Sequence, residues 1–389
     1  MEGMPSMASA NESRLIRAVS RWWTGYRTGR SSGSRDFGPV VAAGAAVQTL
    51  EALFPSPVPG VKPGFANALT LVALSEWGMS AAFRVTLGRV LTGGLYLGTL
   101  FTPSFLMSLS GALVSFPVMA GMYRWARIPG RKGPGLAGVS VAAALAHNAG
   151  QIAVATFVVL HGPELFALLP VLIIGACAAG WVTGWFASSV IRKIGSASPV
   201  VLPESLPVRP LVRETGPRGP ALTVLVIAVF VSVVVTLSAS SSLTFSAALA
   251  LASIIALFLI DRRVCGKVFV GILPLTAAVF LLPLFFQTGG VILAGVGHFN
   301  LTAEGLTRGS LAVCRLLGLS FTGRLFFRFL PVGQLLGRFK ADGFWSDAVR
   351  AFDLLPGLIP ALRQRLVGSK DLSAVAGYFA GFFQERRGR

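Results

Sequence analysis

Three residues with strong hydrogen-bonding side chains, His147, Asn148 and Gln151, stand near the middle of Leu136–Leu160, an apolar stretch without a charged side chain. Offsets of one and four residues put them on neighbouring faces of a helix. At membrane depth such groups are costly unless a cavity, a ligand or another helix satisfies them. The chemistry open to them is hydrogen bonding to a polar small molecule. The competing reading is interhelical glue, worth about 1 kcal/mol for a single residue. Four more residues join this candidate substrate-binding set. Asn67 follows Pro63-Gly64 and either satisfies backbone groups freed there or meets a ligand. Glu76 is either paired inside a bundle or ends in a wet cavity. Arg84 and Arg89 are either interfacial anchors or functional cations.

Motifs for covalent or metal chemistry do not accompany these residues. There is no Gly-x-x-x-x-Gly-Lys-Ser/Thr phosphate loop and no His-Glu-x-x-His. The six aspartates (36, 261, 342, 347, 353, 371) are never adjacent, so the paired-aspartate magnesium sites of prenyl-diphosphate chemistry are missing. Cys177, Cys265 and Cys314 are far apart and read as packing residues, and three histidines do not suggest a multi-histidine site. The reading is a chain without catalytic residues, metal or cofactor.

The elements that must position the polar set are membrane helices. Of 389 residues, 53% are hydrophobic and 13% charged, more apolar surface than a soluble domain of this size can hide. The 45 glycines suit close helix packing in lipid. The net charge of +19 sits in loops between apolar runs, which argues for cytoplasmic loops and against nucleic acid as a partner.

Five regions follow in order. Residues 1–36 form a basic cytoplasmic tail, either a surface-lying amphipathic helix or disordered. Residues 37–193 hold six apolar runs: Pro39–Phe54, carrying Gln48 and Glu51; Phe65–Phe83; Val90–Phe101, short enough to be tilted, broken or re-entrant; Ser104–Tyr123, with Ser108, Gly111 and Ser115; Leu136–Leu160; and Leu165–Val190, with a seam at Ala176, Gly180 and Gly184. A proline-rich linker covers 194–220. A second membrane module of about four spans covers 221–330. In it Asn300-Leu-Thr-Ala-Glu304 reads as a helix start with an acidic first turn, and Arg315 needs a partner or a wet face. Residues 331–389 read as basic, amphipathic cytoplasmic helices that dock on the membrane or on another protein. Loops at Arg84/Arg89, Arg124–Lys132, Arg192/Lys193 and Asp261–Lys267 together place both termini in the cytoplasm of a multi-pass protein of the inner (cytoplasmic) membrane.

Pro63-Gly64-Phe65-Ala66-Asn67-Ala68, Arg89, Ser108-Leu109-Ser110-Gly111, Gly138-Val139-Ser140 and Ala146-His147-Asn148-Ala149-Gly150-Gln151 resemble the Gx transporter family, also labelled heptaprenyl diphosphate synthase component I. That family is similar to the S components of energy-coupling factor transporters. Over residues 37–193 the resemblance implies an all-α, six-helix, S-component-like bundle that captures a small molecule, vitamin- or cofactor-precursor-like. The second module more weakly resembles the transmembrane T component, through Leu301–Leu306 with Arg315 and through Ala348-Val349-Arg350 with Leu355-Pro356. That makes Arg315 and Arg350 the expected partner-coupling residues, facing ATPase subunits or another cytoplasmic protein. The chain lacks the Ala-Arg-Gly motifs through which T components couple. The expected function is a transporter or its substrate-capturing subunit in the lipid bilayer. The alternative is a non-transporting membrane component of isoprenoid or quinone biosynthesis.

Overall fold

A computed structural model of the chain describes residues 36–53, 64–130, 132–160, 162–197, 220–286, 291–296, 299–330, 343–368 and 371–384. The basic tail, the loop 54–63 and nearly all of the proline-rich linker lie outside the described residues. The first six helices are α1 (Gly38–Leu53), α2 (Phe65–Trp77), α3 (Met79–Leu97), α4 (Pro103–Ala126), α5 (Leu136–Val154) and α6 (Leu169–Lys193). A π-helical turn, Ala155–Leu160, extends α5, and a 3-10 turn, Pro163–Leu168, leads into α6. Next come α7 (Pro220–Ala239), α8 (Leu243–Ile260), α9 (Arg262–Phe286), an antiparallel hairpin of β1 (Ile292–Val296) and β2 (Phe299–Thr302), and α10 (Ala303–Phe329). The last two helices among the described residues are α11 (Phe344–Gly368) and α12 (Leu372–Gln384). Among the described residues, α4, α5, α6, α8, α9 and α10 are long and apolar enough to cross a membrane. The protein is an all-α polytopic membrane protein.

The first three helices depart from the sequence reading. The apolar run expected to continue to Phe83 breaks at Gly78, whose φ of 83° is open to glycine and strained for other residues. Arg84 and Arg89, expected in a loop, therefore lie inside α3. Both have partners there, but among the described residues only Arg84 has a charged one in contact. Arg84 sits 2.7 Å from the Asp347 carboxylate, and Arg89 donates to the side chains of Gln48 and Asn67. Helices α1 and α2, of 16 and 13 residues, are short for a span and run inside the protein. Val40, Val41, Ala42 and Ala43 of α1 are fully buried.

Helices α4, α5 and α6 approach through glycine. A Cβ on Gly150 would stand 2.7 Å from the Ser110 carbonyl oxygen of α4. One on Gly180 or Gly184 would stand 2.6 or 2.5 Å from the Cα of Val141 or Ala137 in α5. The small-residue seam expected in Leu165–Val190 is thus a backbone-to-backbone contact. Gly133-Pro134-Gly135-Leu136-Ala137-Gly138 has Gly-x-Gly-x-x-Gly spacing, but it enters α5 from the turn after α4, not from a strand, and so is not a dinucleotide fingerprint.

Helix α10 begins as expected. Thr302 caps it, accepting from the Gly305 N–H at 3.0 Å, with Glu304 in the first turn. It then lies across one end of the first bundle. Ala312 and Leu316 pack with Val159 of the π-turn, Gly323 meets Phe101, and Arg324 donates to the Leu97 carbonyl at the end of α3. Phe101, at a positive φ of 68°, anchors this join against Phe105, Phe230 and Phe326. Arg315 is buried and donates to the Ser240 carbonyl at 2.6 Å, fixing the turn between α7 and α8.

Two further expectations change. Helices α11 and α12 do not stand apart from the membrane modules: Leu354, Leu355, Leu358 and Leu362 share one core with α1–α3, as do Phe379, Phe382 and Phe383 with α2 and α6. Arg350 pairs with Asp36 and packs over Gly38 at the start of α1. The Asp261–Lys267 turn, read as lying on the same side as Arg124–Lys132 and Arg192/Lys193, starts at the opposite end of the first bundle, through Asp261. Arg324, and Arg328 paired with Asp261, lie at the Leu97–Thr102 end of the first bundle. Arg124, Arg127 and Lys193 lie at its other end, because α4 and α6 run there and α5 returns between them. The 24 residues of α4 separate the two groups by about 36 Å, one membrane thickness.

Candidate functional site

A cavity lies inside the first bundle, walled by residues of all six of its helices. Its volume is about 100 Å³. From α1 come Gln48 and Glu51, from α2 Asn67, from α3 Arg89, from α4 Ser108 and Ser115, from α5 Ser140, His147, Asn148 and Gln151, and from α6 Thr183. Val90, Met119 and several alanines complete the wall. Concave, partly apolar surfaces with a few convergent polar groups are the usual form of a small-molecule site.

Arg89 is its most committed residue. It is 4% exposed, and its stem crosses Gly44, where a Cβ would stand 3.2 Å from Cδ. The guanidinium donates to Gln48 Oε1 at 2.8 Å and to Asn67 Oδ1. Its Nε is buried without a hydrogen-bond partner. Glu51 is close enough to act on it electrostatically, while its Oε1 accepts the Phe65 N–H at 2.7 Å and so caps α2. On the facing wall His147 Nε2 and Gln151 Nε2 are 3.2 Å apart, one helical turn from each other. The imidazole lies flat on α4 because Gly111 has no side chain; a Cβ there would stand 2.7 Å from the ring.

The structure brings together five of the seven residues singled out in the sequence: Asn67, Arg89, His147, Asn148 and Gln151. Asn148 has a second role, donating from Nδ2 to the Leu172 carbonyl at 3.1 Å and tying α5 to α6. Glu76 is half-buried at the far end of α2 and does not line the cavity. Arg84 also lies outside it, held by Asp347 and by the Phe37 ring 4.8 Å away. Gln48, Glu51, Ser108, Ser115, Ser140 and Thr183 were not singled out as site residues. Their signal was present for α1 and α4, where polar residues interrupt apolar runs at helical spacing.

Fold and site together define an all-α membrane protein with a partly open cavity, lined by apolar and polar groups, among the helices of a six-helix bundle. Residues 40–190, which span α1 to α6, match the family model described as heptaprenyl diphosphate synthase component I. No curated protein and no solved structure matches the chain.

Proposed function

We propose that the protein is a membrane transporter, or the substrate-capturing subunit of one, and that its polar small-molecule substrate sits in the cavity around Arg89. The observation carrying this reading is a buried guanidinium held by neutral amides at the wall of a cavity inside a membrane bundle. Intramembrane ionisable groups of this kind mark substrate paths. In this reading the protein resides in the inner membrane with both termini cytoplasmic. Ser196, at the Lys193 end, then lies on the cytoplasmic face, and a single cysteine there is expected to react with impermeant thiol reagents only after cell lysis. Labelling of intact cells would reverse the orientation. ATPase subunits of the energy-coupling factor type, or another cytoplasmic protein, are the proposed partners. The family description favours a second reading, a non-transporting membrane component of isoprenoid synthesis. Solute uptake into proteoliposomes, or a small molecule carried by the purified protein, separates the two.

The cavity residues also divide by what their loss should do. Gln151→Leu and Asn67→Ala are expected to weaken ligand binding by about 1–3 kcal/mol each, the cost of an unpaired polar group. Asn148→Ala is expected instead to lower the melting temperature in detergent, because the Leu172 carbonyl loses its donor. Calorimetric titration and thermal melting of all three variants provide the check. A Gln151→Leu protein with normal affinity and a lowered melting temperature would assign that residue to packing.

A further inference from the structure

We infer that the cavity selects a compact ligand carrying a single carboxylate, with Arg89 as its anion-binding group and Glu51 as the barrier to ligands of higher charge. The inference rests on the substrate-binding reading above and adds the class of ligand. Arg89 is 4% exposed and aimed into the cavity, with its two terminal nitrogens on neutral oxygens and its Nε buried without a partner. A planar guanidinium fork matches a carboxylate; the neutral amides that position it do not offset its charge, and Glu51 acts on it only through space while its Oε1 accepts the Phe65 N–H. Among the described residues lining the cavity Arg89 is the one Lys or Arg and Glu51 the one Asp or Glu. A monocarboxylate meets that field favourably. A diphosphate brings several negative charges to a wall that already holds Glu51, without a second cation to receive them. Size points the same way: about 100 Å³ holds roughly seven to ten water-sized groups at 10–15 Å³ each. Ser140, His147, Gln151 and Thr183 offer neutral hydrogen-bonding groups for the rest of such a molecule.

The test uses the full chain in detergent, titrated calorimetrically with nicotinate, with its neutral isostere nicotinamide and with inorganic diphosphate. Nicotinate is expected to bind about ten- to hundredfold more tightly than nicotinamide, the usual worth of charge-assisted hydrogen bonds, and diphosphate is expected not to bind. Arg89→Gln is expected to abolish the preference for nicotinate. Glu51→Gln, which keeps an amide oxygen for the Phe65 N–H, is expected to tighten nicotinate about tenfold and to admit diphosphate. That gain of binding can be read even if the Arg89 variant does not fold. Equal affinity for nicotinate and nicotinamide, or tighter binding of diphosphate by the unaltered protein, overturns the assignment. If none of the probes binds while the purified protein carries a neutral solute identified by mass spectrometry, the carboxylate class is wrong and the capture reading survives. If none binds and the protein carries no solute, both fail.

Discussion

Replacing Asp347 by alanine is expected to destabilise the protein by about 3–5 kcal/mol, the cost of leaving a buried ion without its partner. Asp347 is 1% exposed and does two jobs. Its Oδ1 accepts the Phe37 N–H at 2.6 Å, and its Oδ2 lies 2.7 Å from the Arg84 guanidinium. Removing it strands a donor at the start of α1 and a cation on α3 together, and loosens α11 from both. Arg84→Ala should cost less than this, since its side chain is 20% exposed and Asp347 keeps the Phe37 bond. The double variant should fall short of the sum of the two, because the interaction is then lost once. Thermal melting in detergent reads all three. An Asp347→Ala protein that melts within a degree of the unaltered one would show that α11 is held by its leucines alone. The same geometry changes what a truncation before α11 means. It would remove Leu355, Leu358 and Leu362 from the central core, so a loss of function could not be assigned to a missing docking surface.

Gly184→Val is expected to cost about 3 kcal/mol, at the upper end of ordinary overpacking. The Cβ alone would stand 2.5 Å from the Ala137 Cα and 2.8 Å from the Leu136 carbonyl oxygen. These are backbone atoms, so relief requires α5 and α6 to move apart rather than a side chain to turn. Gly180 and Thr183, on the same stretch of α6, line the cavity, so affinity should fall along with stability. Gly121→Ala is the control. Its Cβ meets nothing within 4 Å, and exchanging helical glycine for alanine should stabilise α4 by up to about 1 kcal/mol. If Gly184→Val melts like Gly121→Ala, the α5–α6 contact is looser than described.

Much of this architecture was legible in the sequence, and what was missed shares a physical cause. The runs behind α4, α5 and α6 announce themselves by length and hydropathy, and Ala176, Gly180 and Gly184 by their four-residue spacing. The polar cluster at His147, Asn148 and Gln151 stands out because an apolar stretch surrounds it. Gly78 does not stand out: a glycine in an apolar run reads as a packing residue until its φ is known. Missing that break moved Arg84 and Arg89 into a loop and made them topological markers. The burial of α11 was also hidden. Its apolar face is interrupted by Pro356 and Pro360 and flanked by Arg363 and Arg365, which suggests a surface helix unless α1 and α3 are known to lie beside it. The end at which the second module's charged turn lies was not legible for a related reason. The rule assumes helices side by side in one slab, whereas α10 crosses the end of its neighbours.

The enclosure of α1 also has a consequence in time. Asp347 is translated 310 residues after the Phe37 amide that it receives. At about 5–20 residues per second, the ribosome needs roughly 15–60 s to make up that distance. Throughout that interval the Val40–Ala43 face has no α11 against it, although it ends fully buried. The earliest of the described helices to be made is thus among the last to find all its neighbours. Substitutions along the seam between α1 and α11 will therefore tell first on the amount of protein that survives insertion, and only afterwards on the melting of what remains.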